Sequence, residues 1–261
     1  MTEHLQFSVK DRVATILLNR PDKRNAFTLD MIEAWTQALE ECKRNADIHV
    51  IVLTGAGDKS FCAGGDIGGM EEERTPLARK QKLWANIHRI PLLLEEIDKP
   101  VIAAVNGSAM GAGMDMALMC DLRFAAESAR FSEAYIKVGL VPGDGGAYYL
   151  PRLVGVAKAL ELFWTGDAIS AQEAERIGIV SKVLPDAELM SYTYAFAQRL
   201  ANSATQAIRL VKRMVRQSVH QDARAALDLC SSHLAVMGTT DDHAEALRAF
   251  REKRDPVFKG R

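Results

Sequence analysis

Three glycine-rich turns carry the residues that could do chemistry. They read Phe61-Cys-Ala-Gly-Gly-Asp66-Ile-Gly-Gly69, Asn106-Gly-Ser-Ala-Met-Gly-Ala-Gly-Met-Asp115 and Val141-Pro-Gly-Asp-Gly-Gly146. Glycine permits positive φ and lets a backbone come close to a ligand. The second and third turns adjoin expected helices, whose first N–H groups are free to meet an anion. Taken singly, each is a tight turn: Asp115 suits the first turn of a helix through its dipole, and Asp144 suits an Asx-type turn. None fits G-x-G-x-x-G or G-x-x-x-x-G-K-[ST], so no dinucleotide or P-loop site is expected. Cys42, Cys62, Cys120 and Cys230 are far apart and form no C-x-x-C pair, and the six histidines are scattered. That spacing predicts buried or half-buried thiols, with no metal site and no disulfide framework.

The elements that must position these turns are legible from periodicity. Strands are expected over 5–9 and 13–18, joined as a hairpin through Lys10-Asp11-Arg12. Thr28 is a good N-cap for a helix over 29–43, where Met31, Ile32, Trp35, Leu39 and Cys42 recur at helical spacing. Val50-Ile-Val-Leu53 and Val101-Ile-Ala-Ala-Val105 are continuous apolar runs ended by turn residues, as buried strands are. A helix is expected from about 111–115 to 119, a strand over 122–125 and a short one near 129–131. The recurring order of strand, glycine turn, helix and strand predicts an α/β layered domain. From Leu189 onward the pattern is almost all helical, with a soft boundary near 195–205.

Composition narrows the function classes. The chain has 261 residues, 48% hydrophobic and 26% charged, enough to bury a sizeable core. Lys+Arg is 33 against Asp+Glu 34, a net charge of -1, which disfavours general nucleic-acid or membrane-surface affinity. No apolar run is long enough to span a bilayer, and the N-terminus lacks a signal-like apolar stretch. A soluble, cytoplasmic protein is expected.

The turns gain specificity from their order along the chain. Asn19-Arg-Pro-Asp-Lys-Arg-Asn-Ala26, Phe61-Cys-Ala-Gly-Gly-Asp-Ile67, Lys99-Pro-Val-Ile-Ala-Ala-Val-Asn-Gly107 with Gly111-Ala-Gly113, and Gly139-Leu-Val-Pro-Gly-Asp-Gly-Gly146 follow one another. Thr165-Gly166, Ala171-Gln-Glu-Ala174 and Gly178-Ile-Val180 continue the series. Over nearly its whole length the chain resembles the enoyl-CoA hydratase/isomerase (crotonase) superfamily.

The resemblance implies an α/β fold made of a spiral of ββα units, with an acyl-CoA site in a core over 1–198. A C-terminal helical region over 199–261 is expected to mediate assembly into a homotrimer or a dimer of trimers. The implied oxyanion hole consists of the backbone amides of Gly65 and Ala112, which would grip the thioester carbonyl as an enolate develops. For coenzyme A, the resemblance points to Ala63, Gly64, Gly65, Asp66 and Ile67, to Ala26 beside them, and to Lys23 or Arg24 for phosphate. Phe258 and Lys259 match an aromatic-basic element of the C-terminus that is often contributed across a subunit interface. No separate cofactor and no metal are implied, because coenzyme A is part of the substrate.

The acid-base residues depart from the family pattern. Hydratases of the family carry two glutamates; here the first position holds Asp115 and the second holds Tyr135. If that stretch is helical, Glu133 lies about 200° around the axis from Tyr135 and cannot substitute. Asp144 lies on the loop that borders the acyl pocket, where some isomerases and dehalogenases place a working aspartate, although it stands one residue beyond theirs. Asp115 and Asp144 are the expected base and proton donor or shuttle, since carboxylates in unlike environments can divide acid and base work. Tyr135 would donate a hydrogen bond, line the pocket, or both.

The expected activity is therefore enolate-mediated: hydration of a 2-enoyl-CoA or migration of its double bond. Alternatives are an acyl-CoA thioester hydrolase or dehalogenase, or a non-catalytic binder of acyl-CoA or RNA. Arg209, Lys212, Arg213 and Arg216 share one helical face and would be the RNA-binding comb. The neutral total charge favours a solvated face or one near a neighbouring subunit's CoA, with Ile208, Leu210, Val211, Met214 and Val215 in core or trimer contacts.

Overall fold

The computed structural model describes residues 2–66 and 75–261. Strands β1 (Leu5–Lys10) and β2 (Val13–Leu18) form the expected antiparallel hairpin, closing at the Lys10–Val13 pair. Asp11 and Arg12 turn it with φ of 48° and 67°, both left-handed, which matches the right-handed twist of the flanking strands. Thr28 then caps α1 (Leu29–Arg44), its side chain accepting a hydrogen bond from the Met31 amide. Met31, Ile32, Trp35, Leu39 and Cys42 are all buried.

From here the chain winds as a spiral that feeds two sheets in alternation. β3 (Val50–Gly55), β5 (Val101–Val105), β7 (Leu122–Ala126) and β10 (Lys182–Leu184) join the hairpin in a six-stranded sheet of order β1-β2-β3-β5-β7-β10. β4 (Ser60–Cys62), β6 (Ser108–Met110), β8 (Arg130–Ser132) and β9 (Ile169–Ser170) form a four-stranded sheet beside it. β3 and β5 are buried at every position, which explains the apolar runs at 50–53 and 101–105. The glycine turns lie after β4 and β6, at the mouth of the smaller sheet.

Helices cover the sheets. α2 (Pro76–Lys82) runs through a π-helical turn (Leu83–Ile87) into α3 (Arg89–Glu96). α4 (Ala112–Leu118) follows β6 and is buried throughout. A 3₁₀ turn (Ala134–Val138) follows β8, and α5 (Gly146–Val154), α6 (Val156–Thr165) and α7 (Ala171–Arg176) lead to β10. α8 (Leu189–Ala201) covers the larger sheet, and α9 (Thr205–Ser218), α10 (Ala223–Met237) and α11 (Asp241–Glu252) complete the helical C-terminal part. No helix among the described residues is long and apolar enough to cross a membrane. Cys42, Cys62 and Cys120 are buried and Cys230 half-buried, all as free thiols.

Three of the four basic residues of the α9 stripe turn toward the body of the chain, while Arg213 is exposed. Arg209 makes two hydrogen bonds to Asp98, at 2.8 and 3.0 Å, and Lys212 reaches Asp121 at 2.6 Å. Arg216 pairs with Asp121 at 3.0 Å and with Glu95 at 3.3 Å. These three cations dock the helix on its own chain, which disfavours the RNA comb and leaves the solvated-face reading to Arg213. Val211, Val215 and Val219 point to solvent instead.

Candidate active site

Two turns meet at the end of β4 and β6. These strands are parallel neighbours, with Cys62 opposite Ala109, so their turns emerge side by side. Gly64 and Gly111 have φ of 98° and 50°, a region that favours glycine. The turns are also close: a Cβ on Gly64 would lie 3.2 Å from the Met110 carbonyl oxygen and 3.5 Å from the Ala112 nitrogen. Phe27 holds the first turn, donating to the Gly64 carbonyl at 2.9 Å and accepting from the Asp66 amide at 2.9 Å. The amides of Gly65 and Ala112 donate no hydrogen bond among the described residues. Ala112 is the first residue of α4, so its N–H has no acceptor within the helix. Two free amides on adjacent turns are the arrangement that can hold one carbonyl oxygen as it gains charge.

The acid-base groups sit one turn further along α4. Asp115 is fully buried, and the Tyr135 hydroxyl lies 2.7 Å from its Oδ2. The same hydroxyl lies 2.9 Å from Oδ2 of Asp144, which is 6% exposed. Sequence reasoning thus named three residues that the fold brings together. A phenol has one proton to donate, so the second short contact is satisfied when an aspartate keeps its own proton and donates it back. Burial favours that state, pushing Asp115 up to about 7 against the pull of the Tyr135 hydrogen bond, with the charge on Asp144 adding to the rise. Asp144 is also raised by burial, while Tyr135 and the nearby His88 draw it down. Burial, followed by the two aspartates, holds the Tyr135 phenol far above its ordinary value, so it stays neutral.

Glu133 belongs to the same cluster, contrary to the rotation expected for it. Its carboxyl is 1% exposed, and neither oxygen has a donor among the described residues. The 3₁₀ turn begins at Ala134, so Glu133 precedes it and is free of its periodicity. Burial and the adjacent Asp115 push Glu133 up to about 10. His88 was also missed by sequence reasoning. It follows the π-helical turn, and its Nε2 lies 2.7 Å from the Gly143 carbonyl oxygen, next to Asp144. Nothing in the local sequence signalled either contact, since the partners lie far along the chain.

The basic loop before α1 packs on the first glycine turn. The Ala63 amide donates to the Arg24 carbonyl at 3.0 Å, and Arg20 reaches both the Ala26 carbonyl at 2.7 Å and Asp66 at 3.0 Å. Asn25 holds this loop from beneath: it accepts from the Arg20 amide and donates to the carbonyls of Ala56 and Ser60. Lys23 and Arg24 are exposed, beside Ala26, Ala63, Gly64, Gly65 and Asp66. Ile67 lies outside the described residues. Phe258 and Lys259 are elsewhere: the Lys259 and Gly260 amides donate to Asp242 at 2.7 and 2.9 Å, and Gln206 binds the Gly260 carbonyl at 3.0 Å. No hydrogen bond or ion pair among the described residues joins them to the Lys23 or Asp66 loops within one chain.

Known proteins resemble the chain over nearly its whole length. The enoyl-CoA hydratase/isomerase family model matches residues 8–261. A short-chain-enoyl-CoA hydratase of Clostridium acetobutylicum is 38% identical, over 93% of this chain and 92% of its own. A 1,2-epoxyphenylacetyl-CoA isomerase of Escherichia coli is 35% identical over the full length of both. The crystal structure of an enoyl-CoA hydratase from Bacillus anthracis superposes with a TM-score of 0.93 at 35% identity, covering 99% of this chain and 100% of that one. With a sequence matched over almost its entire length and a spiral superposing on a solved relative, the chain belongs to the enoyl-CoA hydratase/isomerase family of enzymes, the crotonase superfamily.

Proposed function

We propose that this enzyme moves a double bond within an enoyl-CoA thioester. One observation carries the reading: the Tyr135 hydroxyl lies within hydrogen-bond distance of both Asp115 and Asp144. Isomerisation needs a proton taken from one carbon and returned at another, with no other atom gained or lost. The thioester carbonyl would accept hydrogen bonds from the Gly65 and Ala112 amides. As the α-carbon loses its proton, charge moves to that oxygen, where each such donor is worth about 2.7–4 kcal/mol. The ionised aspartate of the pair takes the proton. Tyr135 links it to the second aspartate, so either carboxyl can deliver the proton at the new position. Exposed Lys23 and Arg24 would meet the coenzyme A phosphates, with Ala26 and the 63–67 backbone along the nucleotide and pantetheine arm.

Hydration is the second reading, favoured by Glu133. Its carboxyl beside Asp115 gives the site two acids in unlike environments, which could divide water activation from protonation. The test incubates purified protein separately with a short 2-enoyl-CoA and a 3-enoyl-CoA and weighs the products. Conversion of the 3-enoyl substrate without mass change supports isomerisation. Gain of one water by the 2-enoyl substrate, with the 3-enoyl substrate untouched, overturns it in favour of hydration.

We further propose that the helices over 199–261 assemble the enzyme as a homotrimer or dimer of trimers. The exposed Val211, Val215, Val219, Leu227 and Leu234 support a subunit contact there. Such assembly would let Phe258 and Lys259 of one subunit serve a neighbour's site. Light scattering after size exclusion tests this, and a monomer at micromolar concentration contradicts it.

A further inference from the structure

The carboxyl of Glu133 has no evident reason to be where it is. It is 1% exposed, it stands against Asp115, and neither of its oxygens has a donor among the described residues. Oδ1 of Asp115 likewise lacks a donor. Two ionised carboxylates in that position would repel each other, and the Tyr135 hydroxyl bond at Oδ2 of Asp115 leaves both Glu133 oxygens without a donor among the described residues. No Lys or Arg among the described residues forms an ion pair with either group. One proton resolves the difficulty. A protonated carboxyl is a donor as well as an acceptor, and it would satisfy the aspartate it faces.

We propose that Glu133 is a positioning residue that keeps its proton and donates it to Asp115, holding Asp115 as the ionised, base-competent member of the cluster. The proposal deepens the acid-base reading above and rests on it for Asp115's role. It also explains how a buried site with three carboxyls and a phenol remains workable. The charge that Asp115 must carry is stabilised by Tyr135 at Oδ2, by the Gly146 backbone and by Glu133. Burial is the largest influence keeping the proton on Glu133, and the charges of Asp115 and Asp144 reinforce it. The other titratable groups facing the cluster do not take over this part. The Cys62 thiol on β4 is pushed up to about 12 by burial and stays neutral, while His88 acts on Asp144.

Two measurements separate this role from plain packing. The first needs no substrate: an infrared difference spectrum of wild type minus Glu133→Gln, in D₂O at neutral pD. The proposal expects the C=O stretch of a protonated carboxylic acid in wild type, lost in the variant. A difference spectrum showing only the loss of an ionised carboxylate overturns it. This readout stands whichever reaction the enzyme catalyses, so it does not fall if the isomerase reading falls.

The second is the acid limb of the kcat/KM profile on whichever enoyl-CoA is turned over. Glu133→Leu removes the donor, so Asp115 binds its own proton more tightly and the limb moves up by about one to two pH units, as loss of one charge-assisted hydrogen bond requires. Glu133→Gln keeps an N–H donor and returns the limb to the wild-type position. If Glu133 were ionised, Glu133→Leu would remove a like charge and move the limb down. A downward shift, or an unmoved limb, overturns the proposal.

Discussion

Gly146 sits so close to Asp115 that a Cβ on it would fall 2.2 Å from Oδ1 of the carboxylate. The first residue of α5 therefore acts as a wall for the proposed base on α4, and its lack of a side chain is a matter of space. Gly146→Ala is expected to push the carboxylate aside. A displacement of about 1 Å at a reacting group costs on the order of 100-fold in rate. The obstacle is a buried side chain tied to Tyr135, so thermal unfolding should shift, but less than where the obstacle is backbone. Gly113→Ala is the contrasting variant: its Cβ would meet the Cys62 carbonyl oxygen at 2.0 Å, and backbone cannot swing away. Circular dichroism and turnover together should show activity lost with the fold kept at 146, and both lost at 113.

The two aspartates can be tested separately. Asp115→Asn and Asp144→Asn are each expected to lower turnover by about 10²–10⁴, the usual share of a positioned acid or base. Calorimetric titration with a non-reacting CoA thioester should show binding retained in both. Full turnover in Asp144→Asn would remove Tyr135 from any relay and leave Asp115 to act alone.

Tyr135→Phe removes one hydroxyl and two hydrogen bonds. Both bonds hold their aspartates down, so both carboxyls rise in the variant. The wild-type rate should climb as pH rises through about 7, where Asp115 loses its proton. In Tyr135→Phe the same limb should appear at higher pH, with part of the lost rate recovered in alkaline buffer. A limb that stays in place would mean that the phenol does not bear on the ionisation that matters.

The cluster also sets a pH dependence of stability. Asp115 is raised to about 7 and Glu133 to about 10, against about 3.9 and 4.3 in an unfolded chain. Between those limits the folded protein binds more protons than the unfolded one, so stability falls as pH rises. The Asp115 contribution is lost over about pH 4 to 7 and that of Glu133 over about pH 4 to 10. Asp115→Asn should therefore raise Tm more at pH 8 than at pH 5, each kcal/mol moving it by about 2–4 °C. Calorimetry at the two pH values checks the sign.

How far the sequence reached depended on the distance between partners. Thr28 and the hairpin at Asp11 and Arg12 are local devices, and the apolar runs of β3 and β5 report their own burial, so all were legible. Of the smaller sheet only β8 was legible, near the short strand expected at 129–131, because strands of two or three residues such as Ser60–Cys62 and Ile169–Ser170 leave no period to read. Tyr135, Asp115 and Asp144 were found through resemblance, and their convergence through one hydroxyl was invisible before the fold was known. Glu133 was set aside on a helical rotation that does not apply to it, because it precedes the 3₁₀ turn. On α9 the charged side was expected at the surface, because Asp98, Asp121 and Glu95 are remote in sequence and only the fold sets them opposite Arg209, Lys212 and Arg216.

That helix bears on how the proposed assembly responds to salt. A surface helix ordinarily sticks to its own body by its oily side and has nothing left for a stranger. α9 is fastened by ionic clasps, and Lys212, the most enclosed of them, has a side chain only 9% exposed. The valines on its outer side are exposed in the single chain. In the proposed assembly, kosmotropic salt would strengthen cohesion between the valines while screening the half-exposed Arg209 and Arg216 pairs more than the enclosed Lys212 pair.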